Sequence, residues 1–388
     1  MFVEYKSIRV GEAFENMRKA KRGRKTDMSG TLTLQNLTKK YQEFYAVKNL
    51  SLELQESEFL TLLGPSGSGK TTTLKMVAGL EIPTSGKILV DGRDITFLPP
   101  NKRGLGMVFQ NYALFPHMRV KDNIAFPLRM LRPRVSEEEI QSRVAEILDV
   151  VQMRGYEERF PAQLSGGQQQ RIALARALVF NPPIVLMDEP LGALDKKLRA
   201  NMQLEIKRIQ QKMHITTIYV THDQEEALTM SDRIAIMNEG EIVQLDSAKN
   251  IYEHPNSAFI ADFIGESNFL PVTLAERQGT RMTLKVCSEA GSCFSFEAPL
   301  EQTVLAAETK FVIRPEKVRI ASALGNEARL KGVVSELVYM GESIKYIVRI
   351  DDRFDFSCKE QTKDVNARFA VGDKVELGWE DENARLLT

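Results

Sequence analysis

The chain has 388 residues, and at about 150 residues per domain this length predicts two or three domains. Lysine plus arginine and aspartate plus glutamate both total 52, so the formal net charge is zero, which argues against a protein that mainly coats nucleic acid or anionic lipid. Apolar residues make up 43 % of the chain, yet no run approaches the roughly 20 apolar residues that span a bilayer, so any membrane role is expected to be peripheral.

Histidine and cysteine give no sign of a zinc site or of secretion. The four histidines are scattered without the spacing of zinc ligands, at positions 117, 214, 222 and 254. The three cysteines, Cys287, Cys293 and Cys358, lie in the last third of the chain, and an odd number suits a reducing compartment. We expect all three to be small buried or half-buried thiols.

The N-terminal segment differs in composition from the rest of the chain. Residues 1–27 carry eight Lys/Arg against four acids and lack the apolar core of a signal peptide. Strand-like alternation begins in TLTLQNL (31–37), shortly after Met28. We expect residues 1–30 to be a disordered basic extension, with Met28 as the alternative native start. An arm that binds anionic lipid is the other interpretation.

A phosphate-binding loop follows the apolar run FLTLLG (59–64). The run predicts a short buried strand, and GPSGSGKTT (64–72) and a helical segment come directly after it. Glycines let the backbone N–H groups converge on phosphate oxygens, and the helix N-terminus adds positive partial charge. Lys70 is expected to reach the β- and γ-phosphates, and Thr71 to ligate Mg²⁺. The expected nucleotide-binding residues of this loop are Gly64, Pro65, Ser66, Gly67, Ser68, Gly69, Lys70, Thr71 and Thr72.

A second candidate strand, IVLM (184–187), ends in two adjacent acids. Beside a phosphate-binding loop, Asp188 is expected to hold Mg²⁺, and Glu189 to face the water that attacks the γ-phosphate. A carboxylate next to that water takes its proton, a contribution of roughly 10²–10⁴ in rate. Two acids after an apolar run also mark many helix starts, but combined with the loop they predict a nucleotide-hydrolysing site.

The segment LSGGQQQR (164–171) supplies a second anion-binding helix end. It lies at the predicted start of a helix that continues to Val179, and its expected nucleotide-binding residues are Ser165, Gly166, Gly167 and Gln168. One chain then has two such helix ends but one candidate base. This favours a head-to-tail homodimer, in which each nucleotide lies between the loop of one chain and this segment of the other. The set of motifs resembles the ATP-binding subunit of an ABC transporter.

The resemblance extends to the remaining motifs of that family. It implies that Tyr41 stacks on adenine, that Gln110 in VFQNYALFPHM (108–118) senses Mg²⁺ and water, that Asp195 in LGALD (191–195) crosses the dimer interface, and that His222 contacts the γ-phosphate. Taken alone, Tyr41 and His222 would be ordinary surface residues. With ATP and Mg²⁺ as implied cofactors, the expected catalytic residues are Glu189, His222 and Gln110, and the expected metal ligands are Thr71, Gln110 and Asp188.

The predicted architecture is an α/β P-loop NTPase (ABC ATPase) domain at residues 31–265, with a helical subdomain at about 111–165. The amphipathic pattern of 136–153 predicts a helix that buries one face. Between 266 and 388 short strand-like runs alternate with turns, which predicts an OB-like all-β domain. Within it, FVIRPEKV (311–318) resembles the marker of the regulatory and dimerisation domain of importer ATPases.

The resemblance therefore implies an importer ATPase, peripheral on the cytoplasmic face of a bacterial plasma membrane. Its implied partners are two transmembrane permease subunits and a periplasmic or extracellular solute-binding protein, with no nucleic acid. The runs FLTLLGPSGSGKTT and VFQNYALFPHM are most similar to spermidine/putrescine importers, so a polyamine is the expected solute, while sugar, thiamine, iron and opine importers remain open. The alternative from another class is a soluble ABC ATPase that acts on nucleic acid or ribosomes.

Overall fold

The computed structural model describes residues 30–192, 194–278, 281–287, 293–299, 309–325, 329–350, 354–361 and 367–388. The chain forms two compact units that divide after Ala248. The expected basic extension and its Met28 lie outside the described residues. The domain boundary expected between residues 265 and 266 stays a prediction.

The first unit combines strands and helices that alternate along the chain. Its described strands are β1 (Leu32–Tyr41), β2 (Phe44–Leu54), β3 (Phe59–Leu63), β4 (Ser85–Val90), β5 (Arg93–Asp94), β6 (Gly106–Val108), β7 (Ile184–Asp188), β8 (Thr216–Thr221), β9 (Arg233–Asn238) and β10 (Glu241–Ser247). Its described helices are α1 (Lys70–Ala78), α2 (Pro100–Arg103), α3 (Val120–Met130), α4 (Glu137–Val150), α5 (Gly166–Leu178), α6 (Lys196–Met213) and α7 (Gln224–Met230).

A six-stranded sheet with the order β10-β9-β3-β8-β7-β6 forms the centre of this unit. All neighbours pair in parallel except β9 and β10. The strands that continue into the candidate motifs, β3, β7 and β8, are adjacent, so their carboxyl ends meet at one edge of the sheet, where ligands of parallel α/β sheets bind. An antiparallel sheet of order β2-β1-β4-β5 accompanies it. This architecture confirms the predicted α/β P-loop class.

Helices α3 and α4 lie within the range predicted for the helical subdomain, and α5 begins directly after it. The apolar face expected on 136–153 is buried throughout, at Ile140, Val144, Ile147, Leu148 and Val151. Burying this stripe against α3 and α5 provides most of the stability of such a helix. The helix begins after Ser136, whose hydroxyl accepts a hydrogen bond from the backbone N–H of Glu139.

The second unit is built mainly from strands. It follows β10 with two short helices, α8 (Ala248–Glu253) and α9 (Ala258–Phe263), and then with β11 (Asn268–Pro271), β12 (Thr273–Gln278), β13 (Arg281–Cys287), β14 (Cys293–Pro299), β15 (Lys310–Ile313), β16 (Arg319–Ala321), β17 (Leu330–Tyr339), β18 (Ser343–Ile350), β19 (Phe354–Gln361), β20 (Lys374–Gly378) and β21 (Ala384–Leu387). The sheet orders are β11-β15-β21, β12-β13-β14 and β16-β20-β17-β18-β19, and all pairs are antiparallel. The predicted all-β region is confirmed.

One expectation about the cysteines is wrong. Cys358 is a buried thiol, as expected, and donates to the carbonyl of Val318 at 2.9 Å. Cys287, however, is disulfide-bonded. It lies at the turn end of the β13–β14 hairpin, in direct register with Cys293. The number of cysteines does not predict this register, because cross-strand pairing depends on the turn that joins the strands.

Candidate active site

The phosphate-binding loop, residues 64–72 (hereafter the P-loop), connects β3 to α1 in the predicted order. Two of its glycines have no room for a side chain: a Cβ at Gly64 would lie 2.2 Å from the carbonyl oxygen of Met237, and one at Gly69 would lie 2.3 Å from that of Ala46. Gly69 also has a φ of 99°, a left-handed conformation that glycine adopts without strain. At Gly67 a Cβ would meet no atom, so that side of the loop is open.

Lys70 is buried within this loop, with 6 % of its surface exposed. Its Nζ donates to the carbonyl oxygens of Gly64 at 2.9 Å and Pro65 at 2.8 Å, and to Ser68 Oγ at 3.3 Å. Burial lowers the pKa of the Lys70 ammonium, while Glu189 and Asp188 act in the opposite direction. An enclosed cation beside an open glycine cradle fits the phosphates of a nucleotide.

Asp188, the last residue of β7, lies next to the first turn of α1. Its Oδ1 accepts a hydrogen bond from Thr71 Oγ1 at 3.2 Å. Burial and the neighbouring Glu189 raise the pKa of the Asp188 carboxyl, and the Thr71 bond opposes the rise. Because burial disfavours the charged form of this carboxyl, a cation close by would stabilise that form strongly. A hydroxyl and a carboxylate oxygen within 3.2 Å of each other are the oxygen donors that Mg²⁺ prefers, so these residues fit the expected ion.

Glu189 lies between the two other expected catalytic residues. Its Oε1 is 3.3 Å from His222 Nδ1, and its Oε2 accepts from Gln110 Nε2 at 3.2 Å. Glu189 has a φ of 43°, unusual for a residue with a side chain, and its backbone N–H donates to Val220 of the next strand at 3.0 Å. The structure therefore brings Gln110, Glu189 and His222 together at the carboxyl ends of β6, β7 and β8.

Gln110 belongs to the Q-loop (residues 108–118), which is held in a strained conformation. Tyr112 and Ala113 have φ values of 57° and 48°. The Arg176 guanidinium, on α5, donates to both of their carbonyl oxygens, at 2.8 Å and 2.7 Å. The central carbon of the guanidinium, Cζ, also lies 5.5 Å from the ring centroid of Phe115. Sequence reasoning missed Arg176, because no local pattern indicates a contact with residues 63 and 64 positions away.

The signature segment, residues 164–171, begins α5 as predicted. The Ser165 hydroxyl accepts from the backbone N–H of Gln168 at 3.4 Å, and the Gln168 side chain accepts from the Ser165 N–H at 2.9 Å, a reciprocal capping box. Ser165 and Gly166 are exposed. Within the described part of the chain, no hydrogen bond joins this segment to the P-loop.

The signature segment lies against Leu194 of the D-loop (residues 191–195) and against the first turn of α6. A Cβ at Gly166 would lie 3.3 Å from Leu194, and one at Gly167 would lie 3.1 Å from Leu198. Asp195 is exposed and caps α6, since its Oδ1 accepts from the backbone N–H of Leu198 at 2.9 Å. Asp195, which the resemblance placed at the dimer interface, therefore also has a structural role as the N-cap of α6.

Tyr41 lies at the end of β1, opposite Phe44 at the start of β2. The residue is 43 % exposed, and Lys39 Nζ lies 4.8 Å from the centroid of its ring. Strand β2 continues to Ala46, whose carbonyl borders Gly69 of the P-loop. The ring is therefore accessible on a hairpin that contacts the loop, and its contact with adenine stays a prediction.

A buried arginine supports the far end of the P-loop helix. Arg103 donates to the carbonyls of Met76 and Val77 in the last turn of α1, both at 2.7 Å, and to Leu98 and Thr96, both at 2.8 Å. The bonds to Met76 and Val77 reach carbonyls at the end of α1 that have no partner within the helix. Sequence reasoning missed this residue too, since Arg103 lies well beyond the end of α1 and has no capping signature.

Comparisons with known proteins identify both units. Residues 47–192 match the ABC transporter family, and residues 311–387 match the TOBE domain. The spermidine/putrescine import ATP-binding protein PotA of Rubrobacter xylanophilus is 47 % identical over 358 residues, covering 91 % of this chain and 93 % of that protein. The protein of the same name from Thermotoga maritima is 41 % identical over 360 residues, covering 92 % and 95 %.

Two solved structures are similar to part of the chain. One is a dimeric bacterial ABC transporter cassette, 36 % identical, with a TM-score of 0.50 over 56 % of this chain and 98 % of that one. The other is a dimeric ATP-binding cassette in a post-hydrolysis state with ADP and phosphate, 35 % identical, with the same TM-score and coverage. Among the described residues, no helix is both long and apolar enough to cross a membrane.

Proposed function

The chain belongs to the family of ATP-binding subunits of ABC transporters, and we propose that it powers the uptake of polyamines through a membrane permease. As a member of this family it binds and hydrolyses ATP. The resemblance to polyamine-import ATPases is confirmed by relatives that are 41–47 % identical across nearly the whole chain. That similarity over both units carries the proposal of spermidine or putrescine as the solute.

In the proposed mechanism the P-loop binds the phosphates of ATP. The backbone N–H groups around Gly67 and the ammonium of Lys70 neutralise the phosphate charge, and Tyr41 stacks on the adenine. Thr71 and Asp188, with Gln110, would hold Mg²⁺, which when bound offsets the charge of the β- and γ-phosphates. Because Lys70 is enclosed, it acts on the phosphates with little screening by water.

Glu189 acts as the base in this proposal. It takes the proton of the attacking water, while Gln110 and His222, at 3.2 Å and 3.3 Å, keep its two oxygens in place. His222 has 63 % of its side chain exposed in this structure, which leaves it accessible to a γ-phosphate. Glu189 as the base and His222 as the residue that holds geometry are the roles that the sequence and its resemblance suggested, and the distances support them.

Two chains are proposed to close over ATP head to tail. The start of α5, with Ser165 and Gly166 exposed and Gly167 buried beside them, would bind the phosphates held by the partner's P-loop, with Asp195 at the interface. The dimeric cassettes of similar structure support this arrangement. Closure would act on two permease subunits at the cytoplasmic face of the membrane, and a solute-binding protein would deliver the solute.

The decisive experiment is ATP hydrolysis in proteoliposomes that contain the candidate permease and binding protein. We expect spermidine or putrescine to stimulate hydrolysis, and Glu189→Gln to abolish the stimulated rate. Stimulation by a sugar, thiamine, iron or an opine instead would replace the solute and keep the mechanism. A rate that ignores the permease and every solute, but responds to RNA or ribosomes, would favour the soluble alternative.

A further inference from the structure

The loop that carries His222 is fixed by its neighbours in sequence. Thr221 ends β8, and its hydroxyl donates to Glu226 Oε2 at 2.8 Å and accepts from the backbone N–H of Asp223 at 3.0 Å. Asp223 caps α7, since its Oδ1 accepts from the N–H of Glu226 at 3.1 Å. Tyr219 donates to the same Glu226 oxygen at 2.7 Å. The position of His222 therefore depends on the residues on either side of it.

Arg199, in the first turns of α6, connects this loop to the D-loop. Its Nη1 donates to Asp223 Oδ2 at 2.9 Å, and its Nη2 donates to the carbonyl of Leu194 at 3.1 Å. Asp223 thus uses one carboxylate oxygen to cap α7 and the other to bind Arg199. A single planar guanidinium joins the D-loop backbone to the residue after His222, with both bonds in fixed relative geometry.

Among the described residues, the third nitrogen of this guanidinium, Nε, has no hydrogen-bond partner. Arg199 Nε is buried and makes no hydrogen bond within the described part of the chain, although Glu226 Oε1 lies 3.8 Å away. A hydrogen bond to a carboxylate needs about 2.9 Å, so a relative movement of about 1 Å would complete it. Buried N–H groups are nearly always paired. The unpaired Nε–H of Arg199 therefore favours a second arrangement of the D-loop and the His222 loop, in which it donates to Glu226 Oε1.

We propose that Arg199 is a positioning residue, which couples the D-loop of each chain to His222 of the same chain. Movement of the D-loop against a partner chain shifts the Leu194 carbonyl and with it the guanidinium. The guanidinium then moves Asp223, and the imidazole of His222 turns relative to Glu189. The proposal rests on the role of His222 proposed above and assigns the D-loop as what controls it.

Steady-state kinetics of Arg199→Gln test the proposal. We expect kcat for ATP hydrolysis to fall about 10- to 100-fold, the size of effect that a misplaced catalytic group causes, with ATP affinity within about twofold of wild type. Arg199→Lys keeps the charge but cannot bind both partners with fixed geometry, and is expected to lie in between. Arg208→Gln, an exposed arginine further along α6, is the matched control and should be unchanged.

A double-mutant cycle with His222→Ala separates positioning from general damage. If Arg199 acts through His222, adding Arg199→Gln to His222→Ala lowers kcat by less than about twofold. An equal fall in both backgrounds would overturn the proposal, as would an unchanged kcat in Arg199→Gln alone. Near-normal turnover of the single His222→Ala variant would instead overturn the role of His222, so the two failures are distinguishable.

Nuclear magnetic resonance of the imidazole rings gives a readout independent of turnover. The chain has four histidines, so the His222 signals are assigned by their loss in His222→Ala. In Arg199→Gln the His222 ring signals should shift while those of the other three stay in place, and Arg208→Gln should leave all four unchanged. Unshifted His222 signals in a folded Arg199→Gln protein would refute the coupling.

Discussion

Replacing Arg176 by methionine should release the Q-loop without unfolding the protein. Arg176 donates two hydrogen bonds, at 2.7 Å and 2.8 Å, to carbonyls of residues with strained backbones. Hydrogen bonds from a charged donor contribute about 1.5–3 kcal/mol each, and the lower value applies because the freed carbonyls rehydrate, so the two bonds together contribute about 3 kcal/mol. At about 1.4 kcal/mol per tenfold change, the opening equilibrium of the loop should rise about 100-fold.

Native-state hydrogen exchange measures this equilibrium directly. The amide of Tyr112 donates to Phe109 at 2.9 Å and that of Met118 to Phe115 at 3.1 Å, so both report on the loop. Both should exchange about 100-fold faster in Arg176→Met and about 10-fold faster in Arg176→Lys, which can bind only one carbonyl well. Amides of β3 should be unaffected, and so should the Tyr112 and Met118 amides in the control Arg143→Met, on α4. Exchange of Tyr112 within about threefold of wild type would refute the assigned clamp.

Three further predictions concern the site and the second unit. Glu189→Gln should bind ATP and dimerise on a sizing column yet hydrolyse ATP about 10²–10⁴ times more slowly, and near-normal turnover would remove Glu189 as the base. Burial lowers the pKa of Lys70 below its ordinary value of 10.5, and since only the ammonium binds phosphate, ATP affinity should fall with rising pH before that value is reached; a flat profile by equilibrium dialysis would contradict this. Burial raises the pKa of Cys358 to about 12, so its thiol should resist iodoacetamide at about pH 8 in the folded protein and react after denaturation, as measured by mass spectrometry; rapid alkylation of native protein would show the thiol to be accessible.

Sequence reasoning succeeded where function depends on short, contiguous patterns. The strand, glycine loop and helix around Lys70 lie within one stretch of chain, so spacing alone placed them. Glu189 and His222 come directly after adjacent parallel strands, and the resemblance to the family's motifs had implied a catalytic role for each of them.

The supporting residues were invisible to the same reasoning. Arg103, Arg176 and Arg199 each donate to backbone carbonyls or acids on other elements, and a surface arginine and a buried one look alike in sequence. Their partners are set by how helices pack on the sheet, which depends on the whole core. The register that places Cys287 opposite Cys293 is likewise a property of a hairpin and its turn.

The hydroxyl group of Ser165, which forms half of the capping box, has two roles: it stabilises the helix start, and it can donate a hydrogen bond to a ligand. The helix uses the oxygen of this hydroxyl as an acceptor, at 3.4 Å from the Gln168 amide, and this leaves the hydroxyl hydrogen to be donated outward. Accepting one bond polarises the O–H group and strengthens the bond that it donates. The residue that begins the helix thus also favours a negatively charged neighbour, which accepts that hydrogen, over a cation, which cannot. Threonine could replace it in both respects, whereas alanine would weaken both the helix start and the preference for anions.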